Sequence, residues 1–172
     1  MTATTLQPEW TDKRRYLWLL STLTMLLPLG AILLANTTGN ALSWWFGPVF
    51  VFVMIPLLDM LLGEETENPP EEVVPRLESE TYYRVAVWVA VAFQYWAFIT
   101  ACYVAATYVL PWYSYLGFAI TTGTAMGIAI NTAHELGHKT NGFERLLAKL
   151  ALAPVFYGHF FVEHNRCLLY TS

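Results

Sequence analysis

Residues 85–110, VAVWVAVAFQYWAFITACYVAATYVL, run for 26 residues without a charged side chain. A bilayer's hydrocarbon core is about 30 Å thick and takes about 20 helical residues to cross, so this run is long enough to span it. Three further runs share its character. Residues 16–35 (YLWLLSTLTMLLPLGAILLA) carry no charge, residues 41–62 (ALSWWFGPVFVFVMIPLLDMLL) carry only Asp59, and residues 113–130 (YSYLGFAITTGTAMGIAI) carry none. A segment crossing lipid must satisfy its backbone polar groups internally, so each run is expected to be a helix. One such run fits the buried helix of a soluble domain; four in 172 residues do not. The expected fold class is all-α, a polytopic bundle of transmembrane helices with four spans in this chain.

Composition points the same way. The chain is 56% hydrophobic and only 13% charged, against about a quarter charged in soluble domains. With a net charge of −4 and no basic patch, nucleic-acid binding is not expected. Cys102 and Cys167 are too few for a disulfide scaffold. The first run is longer than a signal peptide's apolar core and lacks a small-x-small cleavage site, so it is expected to remain as a span. Trp10, Trp18, Trp44, Trp45 and Trp112 fall near span ends, where interfacial aromatics sit. Four crossings place every lysine and arginine on one side: Lys13, Arg14 and Arg15, then Arg76 and Arg84, then Lys139, Arg145, Lys149 and Arg166. The positive-inside rule makes that side cytoplasmic, with the N-terminus on it.

Residues 63–84 (GEETENPPEEVVPRLESETYYR) form the one long polar stretch, with seven acidic residues and three prolines. A solvated linker is the simplest reading; a docking surface for a basic partner or a lid over a site is the functional one.

All four histidines lie in the last 39 residues. Residues 131–139 read NTAHELGHK. On a helix His134 and His138 share a face and stand about 6 Å apart along the axis, close enough for both rings to reach one metal ion. Imidazole suits iron, zinc and copper. Glu163 and His164 follow later, beyond an amphipathic stretch at 143–153 (FERLLAKLALA) that is expected to lie along the membrane surface. HELGH also fits the HExxH pattern, in which two histidines bind zinc and the glutamate acts as base. The pentapeptide alone leaves hydrolysis and oxygen chemistry both open.

The strings NTAHELGHK and YGHFFVEHNR, with PLLDMLLGEETENPPEEVVP and TYYRV upstream, resemble the membrane alkane 1-monooxygenases, within the wider group of integral-membrane fatty-acid desaturases and hydroxylases. The resemblance covers most of the first 166 residues. It implies a six-span helical protein of the bacterial inner membrane, with two non-haem iron ions held by histidines on the cytoplasmic side. It implies hydroxylation of the terminal methyl of medium- or long-chain alkanes, using O2 and electrons from rubredoxin and rubredoxin reductase. The iron ligands it implies here are His134, His138 and His164, with Glu135 and Glu163 orienting them from behind. His159 is open to either a structural or a metal role. A fatty-acyl desaturase or hydroxylase, a xylene-type monooxygenase and an intramembrane zinc protease are the alternative readings.

Residues 1–166 are expected to form part of one oxygenase domain, with the histidine region at 131–166. After EHNR the family pattern continues with glycine and two histidines, whereas this chain reads CLLYTS over 167–172. That tail is expected to be foreign to the family, and the chain alone to be an inactive fragment. In the second run, Asp59 is expected to face the bundle interior. Its face repeats at Ile55, at Val51 or Phe52, and at Trp44 or Trp45, and is expected to line an alkane channel, with small Val51 leaving it open to longer chains.

Overall fold

The computed structural model describes residues 10–63 and 69–164; the expected foreign tail at 167–172 lies outside the described residues. Within them every regular element is helical, with no strand. Four helices are long and apolar enough to cross a membrane: α1 (Arg15–Thr38), α2 (Ala41–Leu62), α4 (Thr81–Thr107) and α5 (Trp112–Gly137). A short α3 (Val74–Ser79) precedes α4, and α6 (Gly142–Leu152) and α7 (His159–Glu163) follow α5.

Prolines shape the first two spans. A proline ring collides with the carbonyl four residues back. Ahead of Pro28, α1 tightens into a 3-10 turn at Leu23–Leu26. Ahead of Pro56, α2 widens into a π turn at Phe50–Met54. Gly39 ends α1 at φ +65°, a left-handed stop that glycine adopts without strain.

The spans are packed differently at their two ends. At the end opposite the histidines all four meet around Ala31, Trp44, Ala101, Val104 and Phe118. Close approach there depends on glycine. A Cβ at Gly117 would lie 2.5 Å from the Trp45 indole, one at Gly47 2.8 Å from the Thr121 backbone, and one at Gly30 2.8 Å from the Phe46 ring. Thr121 then joins α5 to α2 twice: its hydroxyl donates to the Trp44 carbonyl (2.8 Å) and accepts from the Gly47 N–H (3.1 Å). The Trp45 indole N–H donates to the Tyr113 carbonyl at 3.1 Å. Gly123 and Gly127, whose i, i+4 spacing reads as a packing motif, instead face open space.

At the histidine end α2 leaves the bundle, and its residues from Phe52 onward are mostly exposed. Only 6% of its most apolar window is buried, against 39% in α5. The core there is built from α4, α5, α6 and α7: Val91, Ala133, Leu136, Ala148, Ala151, Leu152 and Phe161. The segment preceding α1 is tied to α4 through Asp12, whose carboxylate accepts from the Tyr83 hydroxyl (2.6 Å), the Trp18 indole (2.8 Å) and the Arg14 backbone (2.9 Å).

The amphipathic stretch does not lie along a surface, as its pattern suggests, but folds back beside the spans. Four residues separate α5 from α6, a connection that makes antiparallel neighbours. Asn141 caps α6 by accepting from the Phe143 N–H at 2.9 Å. At its start α6 meets Arg84 and Trp88; at its end Gln94 and Tyr95 donate to the Ala151 and Leu150 carbonyls, both at 2.8 Å. Arg84 and Gln94 are ten residues apart on α4, about 15 Å of helix. The reason is the buried face of α6. Ala148 and Ala151 are small enough to let it nest between α4 and α5, leaving Leu146 and Leu150 outside.

The turn that follows reaches the middle of the bundle, where Val155 packs on the layer of Leu27, Ala125 and Met126. Its bonds, Phe156 N–H to Ala153 and Tyr157 N–H to Leu152, both 3.1 Å, form a Schellman stop. Phe156 takes the left-handed position usually given to glycine, at φ +54°. α7 then climbs back toward the end of α5.

Candidate metal centre

α5 does not end where its apolar run ends. No proline interrupts Asn131–Gly137, and the helix carries the histidine motif as its last turns. His134 and His138 therefore share one helical face. The returning α7 places His164 against them. Nε2 of His138 stands 3.1 Å from Nε2 of His134 and 3.1 Å from Nε2 of His164. One ligand nitrogen from each of the three lies within 4.8 Å of the others.

This arrangement fits a metal ion better than it fits hydrogen bonding alone. A ring nitrogen offers either one N–H or one in-plane lone pair, so Nε2 of His138 serves one neighbour well and not both. Two imidazole nitrogens on one ion, each at about 2.0–2.1 Å, stand about 2.9–3.4 Å apart for angles from square to tetrahedral. The donor set is all imidazole, which suits first-row transition metals and not magnesium or calcium. His164 is also held ready to ligate. Desolvation, and then the neighbouring His134 and His138, keep its pKa below the ordinary imidazole value, which favours the neutral ring that a metal ion requires.

Aromatic rings order the incoming ligand. Phe160 stacks on His164 with ring centres 5.0 Å apart, and Tyr157 stacks on Phe160 at 5.2 Å. His159 lies edge-on to Tyr157 at 4.7 Å, outside the cluster. Glu135 and Glu163 are exposed, and among the described residues no hydrogen bond joins either to a ligand histidine.

The six channel candidates on α2 do not share one face. Trp44 is buried among Tyr108 and Phe118 at the far end, and Trp45 is half-buried against Gly117. Val51 packs on the mid-bundle layer and Ile55 is half-buried. Phe52 is 69% exposed and Asp59, expected to turn inward, is exposed. The π turn takes an extra residue, so an i+4 repeat drawn through it loses its face.

Four residues near the site carry more than the sequence reading assigned them. Glu144 reads as a surface carboxylate, yet it is 3% exposed. Its Oε1 accepts from Arg84 Nε at 2.8 Å and from the Trp88 indole at 3.2 Å. Burial pushes its carboxyl up, but the bonds from Arg84 and Trp88 and the charges of Arg84 and Lys139 outweigh that and leave it below the ordinary carboxylate range. Gln94, fully buried, is the fourth. The available signals were Arg84 and Trp88 at i, i+4 and a lone amide inside a charge-free run. The acidic linker touches this end as well, through Lys139–Glu78 at 3.5 Å and Arg15–Glu80 at 3.2 Å, while its residues 64–68 lie outside the described residues.

Membrane-length helices with three imidazoles converging at one end define a polytopic membrane protein with a candidate metal centre. No protein-family model matches the chain. The chain is homologous to alkane 1-monooxygenases: it is 45% identical to that of Ectopseudomonas oleovorans and 43% identical to that of Pseudomonas putida, each over 92% of its own length. It is 33% identical to that of Acinetobacter baylyi over 89% of its length. The chain spans about 40% of the length of these curated relatives.

Proposed function

We propose that this chain forms part of a membrane monooxygenase that converts the terminal methyl of medium- or long-chain alkanes to a primary alcohol with O2. The observation that carries this reading is the convergence of His134, His138 and His164 in a chain homologous to alkane 1-monooxygenases. These three side chains would hold iron, in a centre completed to two ions by residues beyond them. Bound iron supplies the oxygen activation that no amino-acid side chain provides. The chain's own part is to orient. α5 sets the His134–His138 spacing, the Tyr157–Phe160 stack fixes the His164 ring, and the apolar spans admit a substrate without charge. Rubredoxin and its reductase are the proposed electron source. The basic residues at the histidine end support an orientation with that end at the cytoplasmic face of the inner membrane. The relatives do not favour a protease, a desaturase or a xylene-type oxygenase.

The test uses the full-length protein that carries this sequence, in membranes supplied with rubredoxin, its reductase and a reduced nicotinamide. Terminal alkanols from alkanes, dependent on rubredoxin and accompanied by iron in the purified protein, are expected. A protein that retains no iron after anaerobic ferrous loading overturns the reading. Val51 and Ile55 are the α2 residues proposed to border the substrate, and Val51→Trp is expected to shift products toward shorter alkanes. An unchanged product profile removes Val51 from that role.

A further inference from the structure

The three imidazoles are supported unequally. His134 and His138 are spaced by a continuous helix. His164 follows a five-residue helix beyond a turn, and the chain reaches it only through α6. Where α6 sits therefore decides where His164 sits.

We propose that Glu144 is a positioning residue for the metal centre: through Arg84 and Trp88 it seats α6 along α4 and so delivers His164 to His134 and His138. The inference rests on the metal-centre reading above. A glutamate in a helix's first turn stabilises the helix by its charge, but an exposed one does so equally well. Glu144 is buried instead, and two donors from α4 converge on one of its oxygens. Arg84 lies over the Trp88 ring at 5.6 Å and Phe143 packs edge-on to that ring at 5.2 Å, so the contact fixes direction as well as distance. Turning α6 by one residue rotates it about 100°, which separates Glu144 from Arg84 and drives Leu147 or Lys149 toward the space that Ala148 fills. The seating then passes on through packing. Ala148, Ala151 and Leu152 of α6 share one buried cluster with Phe161 of α7 and with Ala133 and Leu136, which flank His134 and His138 on α5.

The experiment is a double-mutant cycle on cobalt(II) affinity, read by equilibrium dialysis and the ligand-field spectrum of the full-length protein that carries this sequence, in lipid nanodiscs. Glu144→Gln is expected to weaken binding about 10- to 100-fold, as the loss of residues that orient ligands does. In a His164→Ala background the same change is expected to have no further effect, because Glu144 acts through that ring. A structural role without positioning leaves the two losses additive, and that result overturns the proposal. Unchanged affinity in Glu144→Gln also overturns it. Arg84→Lys, which keeps the charge but loses the Nε contact, carries the same cycle if Glu144→Gln does not fold. A wild-type chain that takes up no cobalt overturns the metal-centre reading itself, which distinguishes that failure from failure of the positioning role.

Discussion

The two ends of this bundle are held by opposite means. At the end away from the histidines, helices close in at Gly47, against the Thr121 backbone, and at Gly117, against the Trp45 indole, and Thr121 ties α5 to α2 by two hydrogen bonds. At the histidine end a short helical hairpin is wedged in and held by a buried carboxylate, an amide and a layer of alanines. The first arrangement has no slack, because the space for any adjustment has been removed. The second joins close packing to a few directional polar contacts, so that single side chains decide how the hairpin sits. The candidate metal centre, assembled from two segments, thus lies where those side chains set the position of one segment against the other.

The largest effect is expected from removing the central ligand. His138→Ala should lower cobalt(II) or ferrous affinity by more than about 100-fold, since both other rings meet at its Nε2. Thermal unfolding of the metal-free chain should not change. A matching loss of stability would break the comparison, since the imidazoles themselves would then be holding the hairpin. Gly47→Ala comes next. Its Cβ would press on the Thr121 backbone, and overpacking of this kind costs about 1–3 kcal/mol. A fall in melting temperature with metal affinity preserved would sharpen the contrast between the ends. Gly123→Ala, which meets nothing, should be neutral or raise the melting temperature slightly.

Thr121→Val should cost about 1 kcal/mol, within the range for hydrogen bonds between membrane helices. Denaturant titration in detergent measures it. The smallest effect is on pH. Glu144 has a folded pKa below its unfolded value of about 4.3. Its stabilisation is therefore complete above that unfolded value and is lost as pH falls through the lower, folded value. Wild type should lose stability relative to Glu144→Gln on acidification below about pH 4. Parallel pH curves for the two would show that the carboxylate does not help to hold the hairpin.

Much of the fold was legible because lipid permits so few solutions. The second span, 41–62, has the limits its apolar run gives. The other limits moved for local reasons. α4 begins at Thr81, before the charge-free run, because Arg84 is inside the helix and turns its guanidinium to Glu144. It stops at Thr107 because Pro111 forces extended backbone ahead of it. α5 runs on to Gly137 because a helix need not end where its hydropathy does. The pairing of His134 with His138 was legible from helical spacing, and that of His164 only from resemblance. The hairpin was not legible. Periodicity shows that 143–153 has two faces, but not that the alanine face is the buried one, nor that Glu144 joins it. That depends on Arg84, 60 residues earlier.

α6 has 11 residues, about half the length a crossing needs, and carries Arg145 and Lys149. During synthesis the translocon can pass the four long helices into lipid on their own hydropathy, but not this one. It must wait at the water interface until α4 and α5 have associated and opened a groove for it. The expected order is insertion first, then helix association, then docking of the hairpin, which brings His164 to His134 and His138. Until the hairpin docks, His164 stands apart from His134 and His138, so the candidate site is completed only by the last element to fold.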